Sequence, residues 1–258
     1  MTTLRHLTPA AEQGWGTLFE LAQTEADSWL LIGGQMMYLL AAESGVELPR
    51  PTEDVDVVAD VRTRPNGTEW LADWLVQRAF ALEGISADGI GHRFVRPAEP
   101  GPGRVVFDVL APEGLGERTR VFTRRPARTV QAPGSQQALA RSELVQVTVS
   151  GVLGGRERAG IVRRPNLLGA LVIKAAATTI PVRQNPTRDW QDAALLLTLL
   201  PDPVTASSQC DRKDRERLRL LTPLRDRQHP GWALLDGSSY RTGTTALDFL
   251  LDERRTPS

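Results

Sequence analysis

The sequence predicts an α+β protein built from two parts. Up to about residue 164, short apolar stretches typical of strands alternate with stretches of helical periodicity. From Pro165 onward, only helical patterns follow. We therefore predict a core domain with a mixed sheet over residues 1–164 and a helical lobe over residues 165–258, with a soft boundary between them. A bilobed fold of this kind is expected to hold a small-molecule site in the cleft between its lobes.

The composition is that of an ordinary globular protein. Of 258 residues, 41% are apolar and 24% are charged, which excludes wholesale disorder, collagen and coiled-coil rods. Thirty-one basic and 31 acidic residues cancel, so bulk charge does not indicate a nucleic-acid or membrane partner. The single cysteine, Cys210, excludes an internal disulfide and a cysteine-cluster metal site. With no visible signal peptide or membrane span, we expect a cytoplasmic protein without a membrane partner.

The expected elements follow in order. In the first part, helices are predicted over 10–24, 35–44 and 68–82, and strands over 29–32, 55–61, 92–96, 104–110, 145–150 and 160–164. The last four strands are expected to form two hairpins, because a Pro/Gly-rich turn over 97–103 and a Gly-rich stretch over 151–155 separate the members of each pair. In the second part, helices are predicted over 166–179, 188–200, 212–224 and 244–255.

Two aspartates stand at the start of one predicted strand. Asp54 and Asp56 are two residues apart, so their side chains leave the same face. Their Cα atoms would lie roughly 6–7 Å apart, close enough for both carboxylates to reach one divalent ion. Such a pair is costly to desolvate without a cation or hydrogen bonds. The alternative explanation is structural, with Asp54 at a strand end and Asp56 paired with an arginine.

A third carboxylate, Asp108, interrupts the apolar strand predicted over 104–110, where an aspartate is unfavourable for β structure. If this strand lies beside the first, three carboxylates converge at one end of the sheet. Hard oxygen ligands suit Mg²⁺ or Mn²⁺ better than zinc, which favours His and Cys.

A glycine pair, Gly33-Gly34, directly follows one strand and opens a helix. Glycine at this place lets the backbone approach a phosphate and presents helix N-terminal amides to it. The alternative is a tight strand-to-helix turn without a ligand.

Lys174, one of only two lysines, lies in a predicted helix that is apolar on nearly every side. A buried ammonium needs a partner, and a compact positive charge suits a nucleotide phosphate. The alternative is a lysine that snorkels to solvent at the edge of the lobe.

These motifs together resemble a known family. The pattern is Gly33-Gly34, then Arg50-x-Thr52-x-Asp54-x-Asp56, then Asp108, and downstream Lys174 followed by Arg188-Asp189-x-x-Asp192. It resembles the polymerase-β-type nucleotidyltransferase superfamily and, within it, the AbiEii/AbiGii/MenT nucleotidyltransferase toxins. The resemblance covers most of residues 30–200 in scattered motifs. It implies a nucleotidyltransferase lobe with a mixed sheet, followed by a helical C-terminal lobe.

The resemblance also implies roles for these residues and partners for the protein. Asp54, Asp56 and Asp108 would bind Mg²⁺ or Mn²⁺, with Asp108 as the general base in an alternative assignment. Gly33, Gly34, Arg50, Thr52 and Lys174 would bind the substrate NTP, and Asp189 or Asp192 would assist catalysis or position Lys174. In the resembled toxins the acceptor can be the 3′ end of a tRNA and a cognate antitoxin gene lies adjacent, so a tRNA acceptor and an antitoxin protein are expected partners.

Two other functions stay open. One is nucleotidyl transfer to a small hydroxylated molecule such as an aminoglycoside, which the near-zero net charge mildly favours. The other is a non-catalytic nucleotide-binding or partner-binding module, against which the four intact residues Asp54, Asp56, Asp108 and Lys174 argue. Five arginines between residues 118 and 128 either contact an RNA backbone or lie in a solvated loop.

Overall fold

A computed structural model describes residues 2–48, 52–99, 102–116, 121–151, 157–180, 185 and 187–252. The chain divides into two compact units. The first unit comprises Met1–Ala132 and Ser142–Pro165, and the second comprises Pro133–Arg141 and Asn166–Ser258. The fold is α+β, as predicted, with nine α-helices and eleven strands in the described ranges.

The strands are β1 (Thr2–Leu4), β2 (Trp29–Ile32), β3 (Val55–Ala59), β4 (Ala81–Leu82), β5 (Arg93–Pro97), β6 (Arg104–Pro112), β7 (Phe122–Arg124), β8 (Ala127–Arg128), β9 (Gln131–Ala132), β10 (Ser142–Val149) and β11 (Arg158–Pro165). The α-helices are α1 (Pro9–Thr24), α2 (Gly33–Glu43), α3 (Gly67–Val76), α4 (Ser135–Ala140), α5 (Leu167–Ala177), α6 (Thr187–Leu199), α7 (Pro203–Ser208), α8 (Arg212–Leu218) and α9 (Gly237–Leu251). Two 3₁₀ helices span Arg219–Arg225 and Pro230–Trp232.

The main sheet of the first unit is mixed. Its strand order is β2-β3-β6-β5-β4, with β9 beside the end of β6. β3 and β6 run parallel, whereas β2 is antiparallel to β3 and β5 is antiparallel to β6. Val55 and Val57 alternate with the aspartates of β3 and are fully buried, as are Phe107 and Val109 around Asp108. The apolar face of these two strands therefore packs into the core, and the aspartates lie on the opposite face.

Both predicted hairpins are confirmed. β5 pairs with β6 across the Pro/Gly-rich turn, and β10 pairs with β11 over eight residues each. β10 also accepts β1 as a parallel neighbour, which gives a second, three-stranded sheet in the order β1-β10-β11. β1 has only three residues, too few to show a strand period in the sequence.

The helix predicted over 68–82 is wrong at its C-terminal end. α3 stops at Val76, and the Phe80 N–H and Ala79 N–H bond back to the carbonyls of Leu75 and Val76. Ala79 adopts φ 63°, so the bonds form a Schellman motif with alanine in the position that usually holds glycine. Because the usual glycine signal is missing, the sequence pattern continues through this end into β4.

The C-terminal lobe also departs from the prediction at two helices. α9 begins at Gly237 rather than Thr244. Its first turn is polar and shows no apolar period in the sequence, and it is capped by Asp236, whose side chain accepts a hydrogen bond from the Ser239 N–H. The helix predicted over 212–224 is α-helical to Leu218 and then continues as a 3₁₀ helix that contains Pro223. No described helix has both the length and the apolar character that crossing a bilayer requires.

The buried cysteine offers a test of packing in the second unit. The Cys210 thiol is 5% exposed and donates to the Ala206 carbonyl, and burial raises its pKa to about 11. Because the thiolate is the reactive form, we expect DTNB at pH 8 to modify the native protein about 100-fold more slowly than the protein in guanidinium chloride. Cys210→Ser should react in neither condition. Equal rates in the two states would contradict a buried thiol.

Candidate functional site

Three carboxylates gather on one face of the main sheet. In the parallel pairing of β3 with β6, Asp56 lies opposite Asp108. Adjacent strands are about 4.8 Å apart, so the two side chains stand next to each other on the same face. Asp54, two residues before Asp56, follows on that face just before β3 begins. The condition under which the three carboxylates would converge, that the two aspartate-bearing strands lie side by side, is therefore met.

The three carboxylates differ in exposure. The Asp108 side chain is 8% exposed and that of Asp54 is 45% exposed, while Asp56 is half-buried. Asp108 lies in the middle of β6, flanked by buried apolar residues, whereas Asp54 lies at the open end of β3. We refer to Asp54, Asp56 and Asp108 as the carboxylate cluster.

An arginine that the sequence analysis did not single out lies on this cluster. Arg93 of β5 is paired opposite Asp108 of β6. Its Nε donates to Asp108 Oδ1 (2.9 Å), and its Nη2 donates to Asp108 Oδ2 (2.8 Å) and to Asp54 Oδ2 (3.2 Å). The hydrogen bonds to Asp108 raise the pKa of Arg93 above its usual value. A pair with an arginine, which the structural alternative assigned to Asp56, is thus formed by Asp54.

The register of the hairpin was the signal that could have found Arg93. The Pro/Gly-rich turn joins Pro97 to Arg104, and these two residues are paired. Four residues away from the turn along each strand, Arg93 is therefore opposite Asp108.

The glycine pair begins α2 directly beside the cluster. Ile32 is paired opposite Asp56, and Gly33 follows with φ +69°. A Cβ added to Gly33 would overlap the Asp56 carboxylate and would lie 2.8 Å from Asp56 Cβ. Only glycine fits this backbone conformation against this carboxylate. Ile32, the N-cap residue of α2, makes no side-chain hydrogen bond to the first-turn amides. These amides therefore suit an anion as their acceptor.

A buried glutamine ties the helix to the segment before Asp54. Gln35 is fully buried; it accepts a hydrogen bond from Trp15 Nε1 (2.8 Å) and donates to the Thr52 carbonyl (2.9 Å). Thr52 is therefore held against the start of α2. At its other end, α2 is anchored by Glu43, which accepts two hydrogen bonds from Arg164 of β11. Arg50, the remaining predicted nucleotide ligand, lies outside the described residues.

Lys174, Asp189 and Asp192 meet in the second unit. Lys174 Nζ lies 3.4 Å from Asp189 Oδ1 and 2.7 Å from Asp192 Oδ2, and the three side chains are 7%, 2% and 2% exposed. Lys174 therefore does not snorkel to solvent. Asp189 and Asp192 are three residues apart on α6, so both reach the same lysine of α5. Arg188, beside them in the motif, is half-buried.

The donor chemistry of the carboxylate cluster fits a hard divalent cation, because it consists of aspartate oxygens. Its arrangement does not form a ready-made cage: among the described residues, no group of three or more His, Cys, Asp or Glu side chains is placed to hold a metal ion. Arg93 supplies the positive charge that Asp54 and Asp108 face in this structure.

A surface cavity of about 510 Å³ lies elsewhere in the first unit, and Trp70, Trp74, Arg124 and Arg125 are among its lining residues. None of the predicted site residues lines it. Arg125 pairs with Glu69 (3.0 Å) and Arg124 with Asp73 (3.8 Å), so acids balance these two members of the arginine run. Arg118 and Arg120 lie outside the described residues.

No protein-family model matches this sequence, and no curated protein matches it either. The functional inference therefore depends on the motif residues and on their geometry.

Replacing Gly33 tests its contact with Asp56. Gly45 has the same φ of +69° but has nothing within 4 Å of an added Cβ, so it is a matched control. We expect Gly45→Ala to lower the free energy of unfolding by about 1–2 kcal/mol, the cost of a left-handed alanine. Gly33→Ala should cost about 2 kcal/mol more, because its Cβ also overlaps Asp56. Urea unfolding followed by circular dichroism measures both, and equal losses would contradict the close approach.

Replacing Lys174 tests the buried ion-pair cluster. We expect Lys174→Met to lower the free energy of unfolding by about 3–5 kcal/mol, because two buried carboxylates lose a shared cation. Lys213, the other lysine, is exposed, and Lys213→Met should change stability by less than about 0.5 kcal/mol. Similar urea midpoints for the two variants would show that the Lys174 pairs contribute no stability.

Proposed function

We propose that the protein is a Mg²⁺-dependent nucleotidyltransferase that transfers NMP from an NTP to an acceptor hydroxyl. The observation that carries this proposal is the cross-strand pair of Asp56 and Asp108, with Asp54 on the same face and the Gly33 turn packed against Asp56. Carboxylates for a divalent cation and uncapped helix amides for a phosphate are the two parts that nucleotidyl transfer needs side by side.

The proposal includes the finer fold prediction. The parallel neighbours β3 and β6 carry the aspartates, and a glycine turn leads from β2 into α2. These features support a polymerase-β-type nucleotidyltransferase lobe similar to that of the AbiEii/AbiGii/MenT toxins. A cleft between two lobes as the active site stays a prediction from the sequence.

The candidate residues that the structure describes in the first unit have separate roles in the proposed reaction. Asp54, Asp56 and Asp108 would hold Mg²⁺ or Mn²⁺, which would supply charge neutralisation for the triphosphate and activation of the attacking hydroxyl. The first-turn amides of α2 bind phosphate oxygens across Gly33 and Gly34. Gln35 donates a hydrogen bond to the carbonyl of Thr52, the predicted nucleotide ligand, and so fixes the segment that precedes Asp54. Asp108 either completes the metal site or accepts the proton of the hydroxyl.

The chemical step is an in-line displacement. The acceptor oxygen forms a bond to the α-phosphorus, the bond from that phosphorus to the bridging oxygen of the β-phosphate breaks, and pyrophosphate leaves. The protein contributes chiefly through positioning and charge neutralisation, since little covalent chemistry falls to its side chains.

For the second unit, the resemblance assigns Lys174 to a nucleotide phosphate. The two ion pairs of Lys174 support a positioning role for both Asp189 and Asp192, which hold the ammonium in one place. We propose, on the resemblance alone, that the acceptor is the 3′ end of a tRNA and that a cognate antitoxin protein restrains the activity.

The test is transfer of label from each α-³²P NTP in turn to cell RNA in the presence of Mg²⁺. We expect one or more nucleotides to label RNA of tRNA size, and Asp56→Asn to lower the rate at least about 100-fold. Glu53→Gln, which neutralises an exposed carboxylate three residues away, is the matched control and should retain the wild-type rate.

The outcomes separate the candidate acceptors. Growth arrest on expression, lost in Asp56→Asn, would support a toxin acting on tRNA. Absence of labelled RNA, together with antibiotic resistance on expression, would move the acceptor to a small molecule such as an aminoglycoside. Failure to label any acceptor or to bind an NTP with Mg²⁺ would contradict the proposal and leave a non-catalytic module.

A further inference from the structure

We propose that Arg93 is a displaceable counter-ion of the carboxylate cluster, which holds Asp54 and Asp108 in the metal-free protein and competes with the divalent cation for them. The inference rests on the proposed function, because it concerns the same metal site. It adds a residue outside the motifs that carry the resemblance and predicts that metal binding requires a local rearrangement.

Arg93 occupies both carboxylate oxygens of Asp108. Both accept a hydrogen bond from Arg93, one from Nε (2.9 Å) and one from Nη2 (2.8 Å), in the two-pronged geometry that arginine makes with carboxylates. Nη2 reaches Asp54 as well (3.2 Å). The guanidinium thus lies between two of the three carboxylates that would ligate the metal.

Arg93 and a divalent cation need different arrangements of the carboxylates. With Arg93 in place, the described acidic side chains do not form a metal-holding group. Mg²⁺ requires oxygen ligands at about 2.1 Å in near-octahedral geometry. The guanidinium and the cation therefore require different positions of the same carboxylates, and binding of the cation must weaken the hydrogen bonds of Arg93.

On its other side, Arg93 lies near a second carboxylate, that of Glu83, which also pairs with Arg104. The Glu83 N–H donates to the Arg93 carbonyl, so Glu83 lies across from Arg93 on the neighbouring chain segment. Glu83 Oε2 is 4.0 Å from Arg93 Nε. A row of charged residues thus crosses the sheet, in the order Glu83, Arg93, Asp108 and Asp56.

The exposure of these groups permits the exchange. The side chains of Arg93 and Glu83 are both 36% exposed, whereas that of Asp108 is 8% exposed. Because Arg93 and Glu83 both reach solvent, the guanidinium can leave Asp108 toward Glu83 and water, and the incoming cation then replaces the positive charge that the buried Asp108 loses. Asp108 cannot move to solvent in the same way and stays to receive the cation.

The test is Mn²⁺ binding to the purified full-length protein without nucleotide, followed by electron paramagnetic resonance of free Mn²⁺. We expect Arg93→Gln to lower the dissociation constant for Mn²⁺ about tenfold, because the competing cation is gone. Arg96→Gln is the matched control: Arg96 lies on the same strand but over the Phe80 ring, and its loss should change the constant by less than about twofold.

Two further variants complete the test. Arg93→Lys keeps the positive charge but loses the two-pronged contact, and it should also bind Mn²⁺ more tightly than the wild type. It replaces Arg93→Gln if that variant does not fold, which circular dichroism and thermal unfolding would reveal. Addition of Asp56→Asn to the Arg93 variant should abolish binding, which places the ion at the cluster.

The results distinguish the two proposals. Mn²⁺ binding that is weaker or unchanged without Arg93, in a wild-type protein that does bind Mn²⁺, would overturn the counter-ion role and leave the proposed function intact. Such a result would assign Arg93 to orienting Asp108 for the metal. Absence of Mn²⁺ binding at millimolar concentration in the wild type and in both Arg93 variants would overturn the metal site itself, and with it the proposed function.

Discussion

The parallel pairing of β3 with β6 is the contact on which the candidate site depends. It places Asp56 opposite Asp108, and the two-residue period of a strand then brings Asp54 to the same face. A shift of one residue in this register would carry Asp108 to the apolar face and bring Phe107 or Val109 to the carboxylates. The buried valines of β3 and the buried residues around Asp108 prevent that shift, so the apolar core determines the geometry of the polar face.

The strand-to-helix connection depends on the same pairing. Asp56 occupies the space beside Gly33 that any other side chain would need, so the carboxylate and the glycine constrain each other. α2 is then held from several directions: Gln35 connects it to α1 and to Thr52, and Glu43 connects it to β11. A helix anchored at both ends can direct its first-turn amides at a ligand without paying for their ordering when the ligand binds.

Charge is balanced within each unit by specific pairs rather than by the near-zero net charge of the chain. In the first unit, Arg93 offsets part of the charge of the carboxylate cluster. In the second unit, Lys174 lies between Asp189 and Asp192 in a nearly dry environment. The two clusters differ in exposure. The first cluster is 45% exposed at Asp54 and 36% exposed at Arg93, whereas each side chain of the second is at most 7% exposed.

The sequence by itself determined the longer elements and the candidate residues. Apolar runs located β2, β3 and β6, the Pro/Gly-rich turn located the hairpin, and the spacing of Asp54 and Asp56 put them on one face. It could not locate the end of α3, because Ala79 takes the place of glycine there. It gave no sign of β1 either, which is too short for a period.

Only the tertiary structure decided how the candidate residues meet. A strand period says which face a side chain takes but not which strand lies beside it, so the contact of Asp56 with Asp108 depended on a parallel pairing between segments about 50 residues apart. Arg93 belongs to a predicted hairpin, but its role follows from the register that places it opposite Asp108 and not from its own neighbours in the chain. The local period of a strand determines which face a side chain takes, whereas the packing of the whole core determines which strands become neighbours.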